Sequence, residues 1–267
     1  MPIIETIGLL LLGFATGILG GYLGIGGALL ITPVFLAMLK GEGVSDALRF
    51  KLAFGTALLS ITGTGFSAAL SYAKMRRVHW PAVRATGIAA IVFSFVGSYL
   101  AARSPSFYLQ YLFVVFALAN VVMMLSPLKA HGDGDCSSSI LRFTLIGVIA
   151  GLVSAYVGVA GGVIMVPLYL FWCRLPFEKA PGSSSAVGVM TSIVGTIGYI
   201  INGWHVPDLP TSAIGYVMPT YALPVLVGTL LGGPLGSKLN KRFGGSVFRK
   251  VFAFFLLAIA LKILFAP

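Results

Sequence analysis

The sequence predicts an all-α polytopic membrane protein made of two copies of one helical unit. Three observations predict it. Hydrophobic residues make up 58% of the 267 and charged residues only 9%, against about 25% charged in a soluble domain. So few polar side chains cannot cover a water-facing surface, and lipid must solvate much of it. The apolar residues fall in eight runs, at about 6–39, 47–73, 80–102, 106–128, 140–173, 183–202, 212–236 and 246–266. Residues 13–33 also repeat as residues 147–167 at a fixed offset of 134, with Gly13/Gly147, Gly17/Gly151, Tyr22/Tyr156, Gly24/Gly158, Gly27/Gly161 and Pro33/Pro167 in common.

Helix is required of each run, because backbone groups left unpaired in hydrocarbon are too costly. The first run carries Glu5 but no basic leader region or small-residue cleavage site. It therefore reads as a membrane segment rather than a removed signal. Helix starts are marked by Ser45-Asp46 before the second run, Pro81 in the third, Ser104-Pro105 before the fourth and Ser183 at the sixth. The polar stretch 129–139 divides an N-terminal repeat, 1–128, from a C-terminal repeat, 140–267, and is expected to be a cytoplasmic linker. Beyond the glycine segments, Ala53-Phe54-Gly55 pairs with Ala186-Val187-Gly188, and Gly97-Ser98-Tyr99-Leu100 with Gly236-Ser237-Lys238-Leu239.

The first and fifth runs are too long. About 33 residues as one helix would reach roughly 50 Å, against a hydrocarbon core of about 30 Å. Two helices of about 14 residues, hinged at the glycines, make a re-entrant hairpin instead. Charge placement agrees. With two hairpins, 13 of the 18 Lys and Arg fall on one side and 5 on the other; with eight simple crossings the split is 11 to 7. The hairpin arrangement obeys the positive-inside rule better. It leaves three crossings per half, so the halves become inverted repeats and both termini lie outside the cytoplasm. The net charge of +11 thus reads as topology rather than as affinity for nucleic acid.

A glycine cluster that interrupts an apolar run once in each half points to a transporter site of broken helices. The second arm of each hairpin would begin near Gly26-Gly27 and Gly161-Gly162. A helix N-terminus there offers free N–H groups and positive potential, which suit an anion. Gly24, Gly26, Gly27, Gly158, Gly161 and Gly162 are the backbone candidates. The alternative is that these glycines only let helices pack closely. Thr56 and Ser60 share one helix face, and Ser184, Ser185, Thr191 and Ser192 are the hydroxyls of the sixth run. Such hydroxyls could equally bond their own backbone. Tyr22 and Tyr156 are candidates to gate or line the path, or to anchor at an interface. Arg49 and Lys51 would draw anions to its mouth, or simply form a solvated flank. All seven acidic residues lie at run ends or in loops. No carboxylate is thus available inside the membrane to relay protons or repel an anion. His79 and His205 are loop or interface residues that could couple transport, and a proton could also travel on the substrate. Asn120 and Asn202 read as inter-helix bonds.

The paired Gly-x-Gly-Gly-type segments, each with a proline six residues after Gly27 or Gly161, the Gly55-Thr56 pair and the duplicated layout resemble the TauE/SafE family of sulfite exporters. Its members include permeases of the toluene sulfonate uptake type. The resemblance spans nearly the whole chain. It implies a multi-pass carrier of the bacterial inner membrane for a small anion, often sulfite or an organosulfonate. The sequence departs from its own first-half pattern at Gly188-Val189, which pairs with Gly55-Thr56. A second-half hydroxyl must then come from Ser183, Ser184, Ser185, Thr191 or Ser192.

The expected function is secondary transport of a sulfur-containing anion, with a passive anion channel as the alternative. A membrane thiol–disulfide carrier is weaker, because Cys136 lies in the polar linker and neither it nor Cys173 has a Cys-x-x-Cys partner. No nucleophile–base set or metal cluster is legible, so no enzyme activity, metal or cofactor is expected. The expected partners are a small anion and the lipid bilayer, with a homodimer left open and nucleic acid excluded.

Overall fold

The computed structural model describes residues 3–125, 139–242 and 246–265. The described residues form ten helices, five per half. They are α1 (Ile3–Leu23), α2 (Ala28–Gly41), α3 (Asp46–Lys74), α4 (Trp80–Arg103) and α5 (Ser106–Leu125), then α6 (Ile140–Val157), α7 (Gly162–Phe171), α8 (Ala180–Gly203), α9 (Pro219–Arg242) and α10 (Ser246–Phe265). Seven of them, α1, α3, α4, α5, α6, α8 and α9, are long and apolar enough to cross a membrane. Large apolar side chains such as Ile88, Val122 and Phe254 point outward, as lipid contact requires. The chain is a multi-pass membrane protein, and most of the linker expected at 129–139 lies outside the described residues.

Both over-long runs are broken. The break after α1 begins at Gly24, at φ 74°, whose N–H donates to the Gly20 carbonyl at 2.8 Å, while the Ile25 N–H reaches the same oxygen at 3.1 Å. The break after α6 does the same one repeat later. There Gly158 has φ 67° and donates to Ser154, and the Val159 N–H donates to Ser154 at 2.9 Å. Glycine takes this left-handed conformation without strain.

The arms are unequal, which corrects the expectation of two halves of about 14 residues. α1 has 21 residues and α6 has 18, each near the length of a crossing, whereas α2 has 14 and α7 only 10. The physical reason is that Gly13, Gly17 and Gly21 do not break α1. They let it pack on α9, where a Cβ would lie within 3 Å of the backbone of Val225, Thr229 and Gly233. The break is therefore confined to residues 24–27, and the second arm begins where expected, next to Gly26-Gly27.

Each second arm nevertheless returns to the face from which the first arm started. α1 and α9 run parallel, with Leu10, Phe14 and Ile18 facing Gly228, Gly232 and Gly236. Glu42, after α2, accepts a bond from the Tyr221 hydroxyl near the start of α9. In the other half, Arg142 near the start of α6 donates to the Trp172 carbonyl after α7 at 3.1 Å. Arg77, just before α4, pairs with Glu178 at 3.3 Å. Arg77 follows α3, whose Tyr72 hydroxyl reaches the Gly21 carbonyl at the far end of α1 at 3.0 Å. α6 runs parallel to α4, as Gly147 against Thr86 and Gly151 against Ala90 show. The two hairpins therefore enter the bundle from opposite faces.

Contacts in one half recur in the other. α1 packs on α9 as α6 packs on α4; α3 packs on α9 as α8 packs on α4; α3 and α8 cross each other, and α5 meets α10. This correspondence resets one pairing. Thr56 Oγ1 accepts the Met218 N–H at 3.0 Å, and Ser183 Oγ accepts the His79 N–H at 2.9 Å. The Tyr72 and Tyr199 hydroxyls reach the carbonyls of Gly21 and Ala155 at 3.0 Å each. A Cβ on Gly55 would meet the Tyr216 carbonyl at 2.3 Å, and one on Gly182 the Arg77 carbonyl at 2.2 Å. Gly55-Thr56 therefore corresponds to Gly182-Ser183, not to Gly188-Val189. The second half does keep a hydroxyl at this point, and each one accepts the N–H just before a long helix of the opposite half, α9 for Thr56 and α4 for Ser183.

The topology has a direct test. In a chain with Cys136 and Cys173 changed to Ser, single cysteines at Gly41→Cys and Glu178→Cys should react with a membrane-impermeant maleimide from opposite sides of a vesicle. Labelling from the same side would contradict the hairpins.

Candidate functional site

The two breaks meet. A Cβ on Gly162 would stand 2.0 Å from the Gly24 carbonyl oxygen, and one on Gly26 would stand 2.6 Å from Ala160 Cβ. The first approach leaves no room for any side chain at Gly162, and the second none at Gly26 beside the Ala160 methyl. The two short helices α2 and α7 thus begin side by side. Among the described residues, none accepts a hydrogen bond from the backbone N–H groups of Gly26, Gly27 and Ala28, or from the equivalent Ala160, Gly161 and Gly162. Two clusters of free donors at helix N-termini, each with the positive end of a dipole, form a neutral cradle for negative charge.

A small cavity opens beside this contact, where α3 and α8 cross. It is lined by Gly24, Gly26, Ile61, Thr64, Gly65, Ala160, Ser184, Ser185 and Gly188, and its volume is about 10 Å³, the room of about one water molecule. Ser184 Oγ donates to the Gly24 carbonyl at 2.9 Å and so ties α8 to the first break; Ser185 Oγ donates to Pro181 at 2.8 Å. Thr64 differs. Its residue is 1% exposed, and its Oγ1 has no hydrogen-bond partner among the described residues. A buried hydroxyl without a partner is destabilising, and this one lies in the wall of the cavity. No lining residue carries a charge.

The structure brings together some of the residues singled out from the sequence and separates others. Gly24, Gly26, Ser184 and Ser185 line the cavity. Gly27, Gly158, Gly161 and Gly162 build the breaks without lining it. Thr56 and Ser60 lie outside it and serve the scaffold. Thr56 Oγ1 is held by the Leu52 carbonyl and by Met218, while Ser60 Oγ donates to the Thr56 carbonyl at 2.8 Å. Thr191 Oγ1 donates to Gly188 at 3.1 Å, and Ser192 Oγ accepts from Thr62 at 3.0 Å. Tyr156 bonds Ser104 at 2.7 Å. Tyr22 borders a separate apolar cavity with Ile25, Met124 and Pro181. Arg49 is paired with Asp46, and Lys51 lies over the Tyr216 ring at 5.7 Å; both are at the opposite end of α3 from Lys74.

Sequence reasoning missed Thr64, although Thr56, Ser60 and Thr64 form one i, i+4 stripe and the next turn would have reached it. It also missed Gly188, because the shifted register paired that glycine with Gly55. His79 caps α4. Its Nδ1 accepts the Ala82 N–H at 3.2 Å, and burial, reinforced by Lys179, holds its pKa below the usual imidazole value. Asn120 and Asn202 donate to carbonyls of their own helices, Phe116 and Gly198, at 2.7 Å each.

Residues 9–263 match the model of the family Sulfite exporter TauE/SafE. A probable membrane transporter protein of Methanocaldococcus jannaschii is 30% identical, over 88% of this chain and 86% of its own. One from Haemophilus influenzae is 27% identical over 95% and 96%. The protein YunE of Bacillus subtilis, also described as a probable membrane transporter, is 23% identical over 96% of both chains. No solved structure matches.

The glycines give a paired prediction. Gly162→Ala forces the breaks apart and should lower the stability of the detergent-solubilised protein by about 1–3 kcal/mol, the usual cost of overpacking. Gly188→Ala meets nothing within 4 Å and should leave the unfolding temperature unchanged or raise it. Thermal unfolding of the two variants reads the difference. Equal midpoints would mean that the break contact is not a tight one.

Proposed function

We propose that this chain, which belongs to the TauE/SafE family, is a secondary transporter that holds a small sulfur-containing anion between its two broken helices. Transport as such is how the family and the relatives are described. The substrate class is suggested by the family's description, and what supports it here is the site. Two N-terminal turns offer free N–H groups, a buried hydroxyl at Thr64 lacks a partner, and no carboxylate repels an anion. The observation that carries the reading is Thr64, whose hydroxyl has nothing to bind unless something enters the cavity.

Alternating access follows from size and symmetry. A cavity of about 10 Å³ admits an oxyanion only when its walls part, which marks this conformation as closed. We read the two halves as inverted repeats across the bilayer. The face carrying the α3–α4 loop and the end of α9 is the one to which the hairpin arrangement assigns 13 of the 18 basic residues, and we read it as cytoplasmic by the positive-inside rule. In a bacterium the membrane is the inner one. Rocking of one hairpin against the other at the Gly24–Gly162 contact would open the cavity to one face at a time.

Replacement of Thr64 by its isostere separates binding from folding. Thr64→Val removes no protein hydrogen bond, so its unfolding temperature should match the parent. In proteoliposomes it should raise the half-saturating anion concentration about tenfold, the worth of a hydrogen bond to a charged group. Thr56→Val should do the reverse and lose stability, because the Met218 N–H is orphaned. Unchanged saturable flux in Thr64→Val would remove the site from this cavity, and flux that never saturates would favour a channel.

A further inference from the structure

The lining of the cavity bears on the charge of what it takes. This inference rests on the site proposed above and deepens it. Every lining residue is Gly, Ala, Ile, Ser or Thr. Among the described residues no Lys, Arg or His side chain lines the cavity to neutralise an anion, and the nearest favourable potential comes from partial charges at two helix N-termini, each of about half a unit. The titratable groups on the surrounding elements are engaged elsewhere. Tyr72 donates to Gly21 and Tyr22, Tyr199 to Ala155, and Tyr169 to Met165; Tyr156 is bonded to Ser104. His79, Arg77, Glu178 and Lys179 gather at the face where α8 begins, and Arg84 on α4 and Lys238 on α9 are exposed.

Moving an ion out of water costs free energy that grows with the square of its charge. Two half-charges balance one negative charge. They leave a dianion with a full uncompensated unit and about four times the desolvation cost. The unpartnered Thr64 hydroxyl adds one donor but no charge. A hydroxyl-bearing monoanion has a further advantage. Ser184 and Ser185 already donate to carbonyls, so their oxygens remain free to accept a proton donor on the ligand.

We propose that the site takes singly charged oxyanions and rejects doubly charged ones, so that sulfite crosses as hydrogensulfite with the proton carried on the substrate. No titratable side chain is then needed for proton coupling.

The test measures initial sulfite uptake into proteoliposomes at a fixed total sulfite well below half-saturation, between about pH 6 and pH 8, with protein-free vesicles subtracted. Uptake should follow the hydrogensulfite fraction, falling toward tenfold per pH unit once sulfite loses its second proton. Methanesulfonate, singly charged throughout, should compete equally well at both ends of the range. Sulfate, doubly charged throughout, should compete poorly at both. A rate that is flat or rises with pH, or sulfate competing as well as methanesulfonate, would overturn the inference while leaving the anion site intact. Methanesulfonate competition that itself changes with pH would assign the dependence to a protein group and also overturn it. No protein-dependent sulfite uptake at any pH would overturn the site reading, and this inference with it.

Discussion

The carbonyl of Gly24 lies where a Cβ on Gly162 would have to stand, 2.0 Å away, so the two breaks can touch only as bare backbone. Much of the interior follows from this. A helix that stops in hydrocarbon leaves N–H and C=O groups without partners. The structure satisfies the carbonyl ends locally, through Gly24 and Gly158 turned left-handed and bonded back to Gly20 and Ser154. The amide ends it brings together. Each break also leans on the long helix of the opposite half: Gly24 on Pro181 and Ser184 of α8, and Gly158 on Phe54 of α3. That explains why α3 and α8 lie at the centre of the bundle and are its most buried helices.

Glycine serves two separate purposes here, and composition alone does not distinguish them. Gly13, Gly17 and Gly21 sit inside an unbroken helix and let α9 approach, as Gly147 and Gly151 do for α4. Gly24, Gly26 and Gly27 have φ between 74° and 87° and end one helix before starting another. The duplicated segment was legible as a repeat because both uses recur at the same offset. The start of each second arm near Gly26-Gly27 and Gly161-Gly162 was legible too; the unequal length of the arms was not, because a packing glycine and a breaking glycine look alike in a string of letters. Only the partner helix decides.

The same limit explains the site. Run lengths, the return of each hairpin and the meeting of the glycine segments could be reached from apolar periodicity, the hydrocarbon thickness and charge placement. The polar lining could not be reached, since a hydroxyl in a membrane helix has a ready partner in its own backbone four residues earlier. Thr56, Ser60 and Ser67 each take that partner, at Leu52, Thr56 and Gly63. Thr64, on the same stripe, does not. Thr32 and Thr86 also lack partners among the described residues; what singles Thr64 out is that its unpartnered hydroxyl belongs to the cavity wall, which needs coordinates to see.

Symmetry sharpens the point. In the register set by Gly55/Gly182 and Tyr72/Tyr199, Thr64 corresponds to Thr191, and Ser184 and Ser185 correspond to Ala57 and Leu58. Thr191 is committed to the Gly188 carbonyl. The two halves therefore share a scaffold but not a lining. The polar wall lies to one side of the crossing, against the first break. Caps, breaks and helix contacts recur because each half must close its own backbone in lipid. The hydroxyls need not recur, because one ligand between two halves can be held by one set of side chains. A lining that has diverged within a framework that has not fits the proposed carrier: a shared framework would let both faces open in the same way, and unequal side chains would be free to fit one ligand.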